Sequence, residues 1–135
     1  MRRLFQTAQR EAMKFTLDNP NAEFVFGHYG DGKLKVNQTD YESSLIIFPD
    51  ALHTDWPVNS IDELSTHHLQ QVIERKPDIM LLGTGIKQRF PSADLRRELI
   101  TAGLNLEIMD TAAACRTYNL LVSEGRDVAA GVIIY

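Results

Sequence analysis

Two short apolar runs constrain this chain more than any other feature. Asp78–Leu82 ends in Gly83-Thr84-Gly85, and Leu104–Met109 ends in Asp110-Thr111. Each is a few residues long, bounded by turn residues, and followed by a segment with helical spacing. Runs of this kind read as buried strands in a strand–helix alternation. A third helix leads from Asp110 toward Ser123, and Val128–Tyr135 reads as a final strand. The last three helix–strand pairs require right-handed crossovers and at least two parallel neighbours.

The earlier half has a different rhythm. Ala22–Tyr29 and Lys33–Gln38 read as a hairpin turned by Gly30-Asp31-Gly32, residues that tolerate positive φ. Ser43–Phe48 is a third strand, stopped by Pro49. Asp50–Asn59 reads as an irregular loop holding the only tryptophan, Trp56. Ser60 to Glu63 has the spacing of a capping box, and Ser65 offers a second cap. Leu69, Val72 and Ile73 then mark a helix to about Arg75, ended by Pro77. Ser92 caps the next helix, with Leu95, Leu99 and Ile100 as its inner stripe and Gly103 as its stop.

The expected fold is therefore α/β. It is a single-domain mixed β/α sandwich in the order β-β-β-α-β-α-β-α-β, with a central mixed sheet, helices and a smaller hairpin layer. Residues 13–135 form the one domain, without repeat or linker. The final Ile133-Ile134-Tyr135 would leave a sheet edge open for pairing.

Residues 1–12 differ from the rest, with Arg2, Arg3 and Arg10 against Glu11. They read as a basic, flexible tail, or alternatively as a short targeting or membrane-touching helix. The whole chain carries −4 over 135 residues, which argues against nonspecific nucleic-acid binding. One cysteine excludes an internal disulfide and fits a reducing, cytoplasmic setting. No apolar run approaches the roughly 20 residues of a transmembrane helix.

Several fragments resemble one small family: Leu45–Asp50, Trp56-Pro57, Leu81–Gly85 and Glu107–Arg126. The family is that of the Mth938-type domain. It includes mitochondrial respiratory complex I assembly factor 3 and the adipogenesis-associated Mth938 domain protein. The resemblance spans roughly Phe24 to Tyr135 and implies a compact Mth938-like β/α fold. It also implies a link to complex I assembly in one mitochondrial branch, which a bacterial-looking chain need not share. No catalytic residue or cofactor follows from it. Gly83–Gly85, Met109–Thr111 and Cys115–Asn119 all match the family consensus.

Each candidate residue has two readings. Backbone amides at Gly83, Thr84 and Gly85 could cradle an anion at the carboxyl ends of the strands. Alternatively the turn needs glycine for its conformation alone. Asp110 caps a helix, lines a pocket, or does both. Thr111 lies beside it on the same rim. Arg116 and Asn119 share a helix face. Arg116 suits a carboxylate or phosphate, or an internal ion pair with Glu107, Asp110 or Glu124. Thr117 bonds back to Ala113.

Cys115 tempts a nucleophile reading, but a buried structural thiol is the plainer one. His28, His53, His67 and His68 lack metal-ligand spacing, so no metal or other cofactor is expected. Trp56 either anchors a partner or covers the core from its loop.

The leading expectation is a non-catalytic binding or assembly protein with a protein partner. It would use the rim near Gly83–Gly85 and Asp110 together with the Trp56 loop. The competing expectation is a small anionic ligand or an acid–base reaction, with Arg116 holding charge and Asp110 moving protons. A third is that Arg116, Thr117 and Asn119 form an internal network fixing the last helix to the sheet. A concave pocket receiving Arg116 and Asp110 would favour the ligand, and a flat apolar patch around Trp56 the partner.

Overall fold

A computed structural model describes residues 22–135 of the chain. The basic segment 1–12 and the start of the expected domain lie outside the described residues. The elements, in chain order, are β1 (Phe26–Gly30), β2 (Lys33–Val36), β3 (Thr39–Tyr41), β4 (Leu45–Phe48) and β5 (Ala51–His53). Then come α1 (Gln70–Arg75), β6 (Ile79–Gly83), α2 (Ala93–Thr101), β7 (Leu106–Met109), α3 (Thr111–Ser123) and β8 (Val128–Val132). Short 3-10 turns at Ile61–Glu63 and Thr66–Leu69 precede α1.

The strands form a three-stranded sheet, β1-β2-β3, and a five-stranded sheet in the order β5-β4-β8-β6-β7. β6 runs parallel to both β8 and β7, while β4 is antiparallel to β8. The expected parallel pairing of the two rims is therefore present, with Gly83 opposite Met109.

Burial on both faces explains the apolar runs. Ile46, Phe48, Met80, Leu82 and Ala129 face a core closed by Val72 of α1 and by Leu95 and Leu99 of α2. Leu45, Ile47, Leu81, Ala130 and Val132 face the opposite core, closed by α3 and the three-stranded sheet. Strands covered on both sides lose the polar alternation of a half-exposed strand. The result is the expected sandwich, with the smaller sheet as part of the layer beside α3.

Four details differ from expectation. β3 and β5 are additional three-residue strands, and β5 lies in the segment read as loop. Segments this short carry no period to read. The first turn of the expected helix before Arg75 is 3-10 rather than α. The chain's end is not an open edge. β8 lies between β4 and β6, and the Ile133 N–H donates to Gly83 O at 2.9 Å. Its small residues suit that central place: a Cβ on Gly131 would come within 3.0 Å of the Trp56 ring. Finally, Ile100 is not on the inner stripe of α2 but is 60% exposed. Leu95 and Leu99 already point into the core, and Ile100 follows Leu99 by about 100° around the helix.

Candidate functional site

The rim where β6, β7 and β8 end is an internal clamp. Thr111, the first residue of α3, is fully buried. Its Oγ1 accepts from the Gly85 N–H at 2.9 Å and donates to Ile133 O at 2.5 Å. The Thr111 N–H donates to Gly85 O, and the Thr84 N–H to Met109 O, both at 2.9 Å. The Thr84 hydroxyl donates to Lys87 O at 2.7 Å and accepts from Arg89 N–H at 3.0 Å, folding the following loop. The Thr84 and Gly85 amides are thus spent inside the protein, which leaves neither for an anion.

Glycine is required twice here. At Gly83 a Cβ would come within 3.0 Å of both Thr111 Oγ1 and Val132 Cγ1, and within 3.1 Å of Ala114 Cβ. Gly85 has φ +103°, and a Cβ there would run into the Tyr135 carbonyl oxygen.

Asp110 is the N-cap of α3, its Oδ1 accepting from the Ala113 N–H at 2.8 Å. Asn119 is committed to β1. Its Oδ1 accepts from Phe26 N–H and its Nδ2 donates to Phe26 O. Arg116 is exposed, and no ion pair joins it to a carboxylate among the described residues. Of the polar side chains predicted on α3, Asn119 is committed to β1, Thr117 is half-buried without the expected bond to Ala113 among the described residues, and Arg116 is exposed.

Arg116 borders a cleft of about 170 Å³ between β1 and α3, lined also by Gly27, Tyr29, Ala112, Cys115 and Asn119. Sequence reasoning missed Gly27, Tyr29 and Ala112. The only available signal was Gly27 itself, on a strand whose pairing slips between Phe26 and Tyr29. Tyr29 donates its hydroxyl to Ile134 O at 2.5 Å. Burial, with Cys115 and Asp110 nearby, raises the Tyr29 pKa, so the phenol stays protonated.

Cys115 is 5% exposed, and burial pushes its thiol up to about 12. The thiolate needed for nucleophilic chemistry is absent at neutral pH. Tyr118 is fully buried, donates to Phe24 O at 3.0 Å, and is also raised by burial.

Trp56 lies on the other side of the large sheet from α3, in the core with α1 and α2. It is 5% exposed and its Nε1–H donates to His68 O at 3.0 Å. Its ring covers the core, the second of the two roles its position allowed. The structure thus brings Gly83, Thr84, Gly85, Asp110 and Thr111 together at one rim. Arg116 and Asn119 follow along α3, and Trp56 stands apart.

The family model described as protein of unknown function (DUF498/DUF598) matches residues 26–133. The chain belongs to the DUF498/DUF598 family. It is similar to the 13 kDa major membrane protein of Francisella tularensis, with 32% identity over 83% of this chain and 92% of that one. It is also similar to NADH dehydrogenase [ubiquinone] 1 alpha subcomplex assembly factor 3 of Danio rerio. That identity is 30%, over 84% of this chain and 66% of the relative. The match spans between 43% and 66% of the length of the assembly-factor relatives, 65% in Xenopus tropicalis.

Among solved structures, a Xanthomonas campestris protein is 38% identical with a TM-score of 0.74, covering 94% of this chain and 91% of that one. A Bordetella pertussis protein with an Mth938-like domain is 28% identical with a TM-score of 0.74, covering 90% and 92%. The Mth938-like fold and the similarity to assembly factor 3 agree with the resemblance carried by the sequence fragments. Among the described residues, no helix is long and apolar enough to cross a membrane.

Proposed function

We propose that this DUF498/DUF598 member is a non-catalytic assembly protein that holds a protein partner at the cleft between β1 and α3. The observation that carries the reading is the cleft itself, with the exposed guanidinium of Arg116 at its border. A concave site of this size accepts one anchoring side chain, and arginine is favoured at interface hot spots. The groups that would do acid–base or nucleophilic work are otherwise engaged. Asp110 caps α3, Thr111 clamps the rim, and the Cys115 thiol stays protonated.

Gly83, Thr84, Gly85, Asp110 and Thr111 serve this reading by fixing the N-terminus of α3. Asn119 serves it by holding β1, the far wall, in place. Trp56 would act only through the core. A second reading keeps the cleft but fills it with a small anionic ligand, and Arg116 is the feature that favours it.

The partner class follows the zebrafish relative's name: subunits of NADH dehydrogenase, respiratory complex I. The name of the Francisella relative, a major membrane protein, extends the proposal to work at a membrane. The test is affinity purification from native lysate with the intact chain, Arg116→Ala and Ala112→Trp, which fills the cleft. Complex I subunits recovered by the intact chain and lost in both stable variants support the reading. A copurifying small anion with no protein would move the assignment to the ligand.

A further inference from the structure

Five large apolar side chains stand exposed among the described residues, and three of them lie between Ile86 and Ile100. Ile86 is 73% exposed, Phe90 55% and Ile100 60%. Exposed apolar residues scattered singly need no explanation, but a local concentration does. These are held out by well-bonded backbone. The Thr84 hydroxyl fixes both Lys87 and Arg89, and Gln88 Nε2 donates to Ile108 O at 3.0 Å. Beyond the loop, Arg96 of α2 lies over the Phe90 ring at 5.4 Å. Ile100 follows Arg96 by one turn, so it shares that face of the helix.

The same stretch is basic in an acidic protein. Between Ile86 and Ile100 stand Lys87, Arg89, Arg96 and Arg97 against Asp94 and Glu98, while the chain as a whole carries −4. Arg89 pairs with Asp62 and Arg97 with Asp94. Lys87 and Arg96 have no carboxylate partner among the described residues. Two cations without a carboxylate partner among the described residues, one of them over the Phe90 ring, stand in one stretch with three exposed apolar side chains, and this combination matches an anionic lipid surface. There the apolar groups enter the headgroup boundary while the cations meet phosphate.

We infer that the stretch from Ile86 to Ile100 docks this protein on an anionic membrane surface. Ile86, Phe90 and Ile100 enter the interface, and Lys87 and Arg96 contact lipid phosphates. This deepens the membrane part of the reading above and rests on it.

The test is co-sedimentation of the full chain with vesicles of phosphatidylcholine alone or mixed with phosphatidylglycerol. Binding to the anionic vesicles is expected to fall at least tenfold in the triple variant Ile86→Ser/Phe90→Ser/Ile100→Ser and in Lys87→Glu/Arg96→Glu. Leu120→Ser, an exposed apolar residue on α3, should bind as the unsubstituted chain does. All substituted side chains are exposed, and circular dichroism verifies that each variant is folded. Undiminished binding by the triple variant would overturn the assignment of this face while leaving membrane attachment intact. Equal binding to neutral vesicles would overturn the anionic requirement. No binding of the unsubstituted chain to either vesicle would overturn direct membrane attachment. A protein captured through these residues without vesicle binding would assign the face to that protein instead.

Discussion

Asn119 holds Phe26 by both of its backbone groups. Its side-chain oxygen accepts from the Phe26 N–H at 2.9 Å, and its amide donates to the Phe26 carbonyl at 2.8 Å. One side chain on α3 thereby does for β1 what a neighbouring strand would do. Asn119→Leu leaves both backbone groups without partners at a half-buried site. The expected loss is about 1–3 kcal/mol of stability by urea unfolding. Hydrogen exchange at β1 should rise more than at β6, because the loss falls on the small sheet.

Thr111 makes a comparable bridge at the rim, and a fully buried one. Thr111→Val keeps the shape but orphans the Gly85 N–H and the Ile133 carbonyl. The cost should reach about 2–4 kcal/mol, whereas Thr111→Ser keeps the hydroxyl and should cost about 1 kcal/mol or less. Equal destabilisation by both variants in chemical denaturation would refute the hydrogen-bond explanation.

Cys115 should be chemically silent in the folded protein. Burial raises its pKa from 9.0 to about 12, so the fold favours the neutral thiol. That contribution to stability is fully present below the unfolded value and is lost as pH rises toward the folded one. Iodoacetamide at about pH 8 should leave the native chain unmodified and alkylate it readily in urea. Rapid alkylation of the native chain would reopen the nucleophile reading.

His68 makes stability depend on pH in the opposite direction. Its Nδ1 accepts from the Ser65 N–H at 3.1 Å, which requires that nitrogen to be unprotonated. Burial and then the neighbouring His67 lower its pKa from 6.5, with Glu63 opposing. The folded state thus disfavours protonation. The stabilisation is complete above the unfolded pKa and declines as pH falls through the folded value. The Tm should therefore fall between about pH 7 and about pH 5, and less steeply in His68→Asn, whose Oδ1 can keep the Ser65 contact.

The parts legible in the sequence were those fixed locally. Asp110 and Ser92 were readable as caps because a cap is set by its own helix. The parallel pairing of β6 and β7 followed from the strand–helix–strand alternation. The central place of β8 did not, because strand order depends on contacts between distant segments. Asn119 was recognisable as a polar residue needing a partner, but Phe26 lies 93 residues away. For the same reason the Thr111 clamp was read only as part of a rim. Ile100 broke the pattern because its spacing fitted the apolar stripe while its neighbours had already filled the core side.

The most direct test of the proposed function is a photo-crosslinking residue in place of Ala112, within the cleft, in the full chain inside cells. A covalent adduct with a complex I subunit, abolished by Arg116→Glu in a chain that still folds, is the predicted result. No protein adduct, or an adduct unchanged by that substitution, would contradict a partner held at the cleft between β1 and α3.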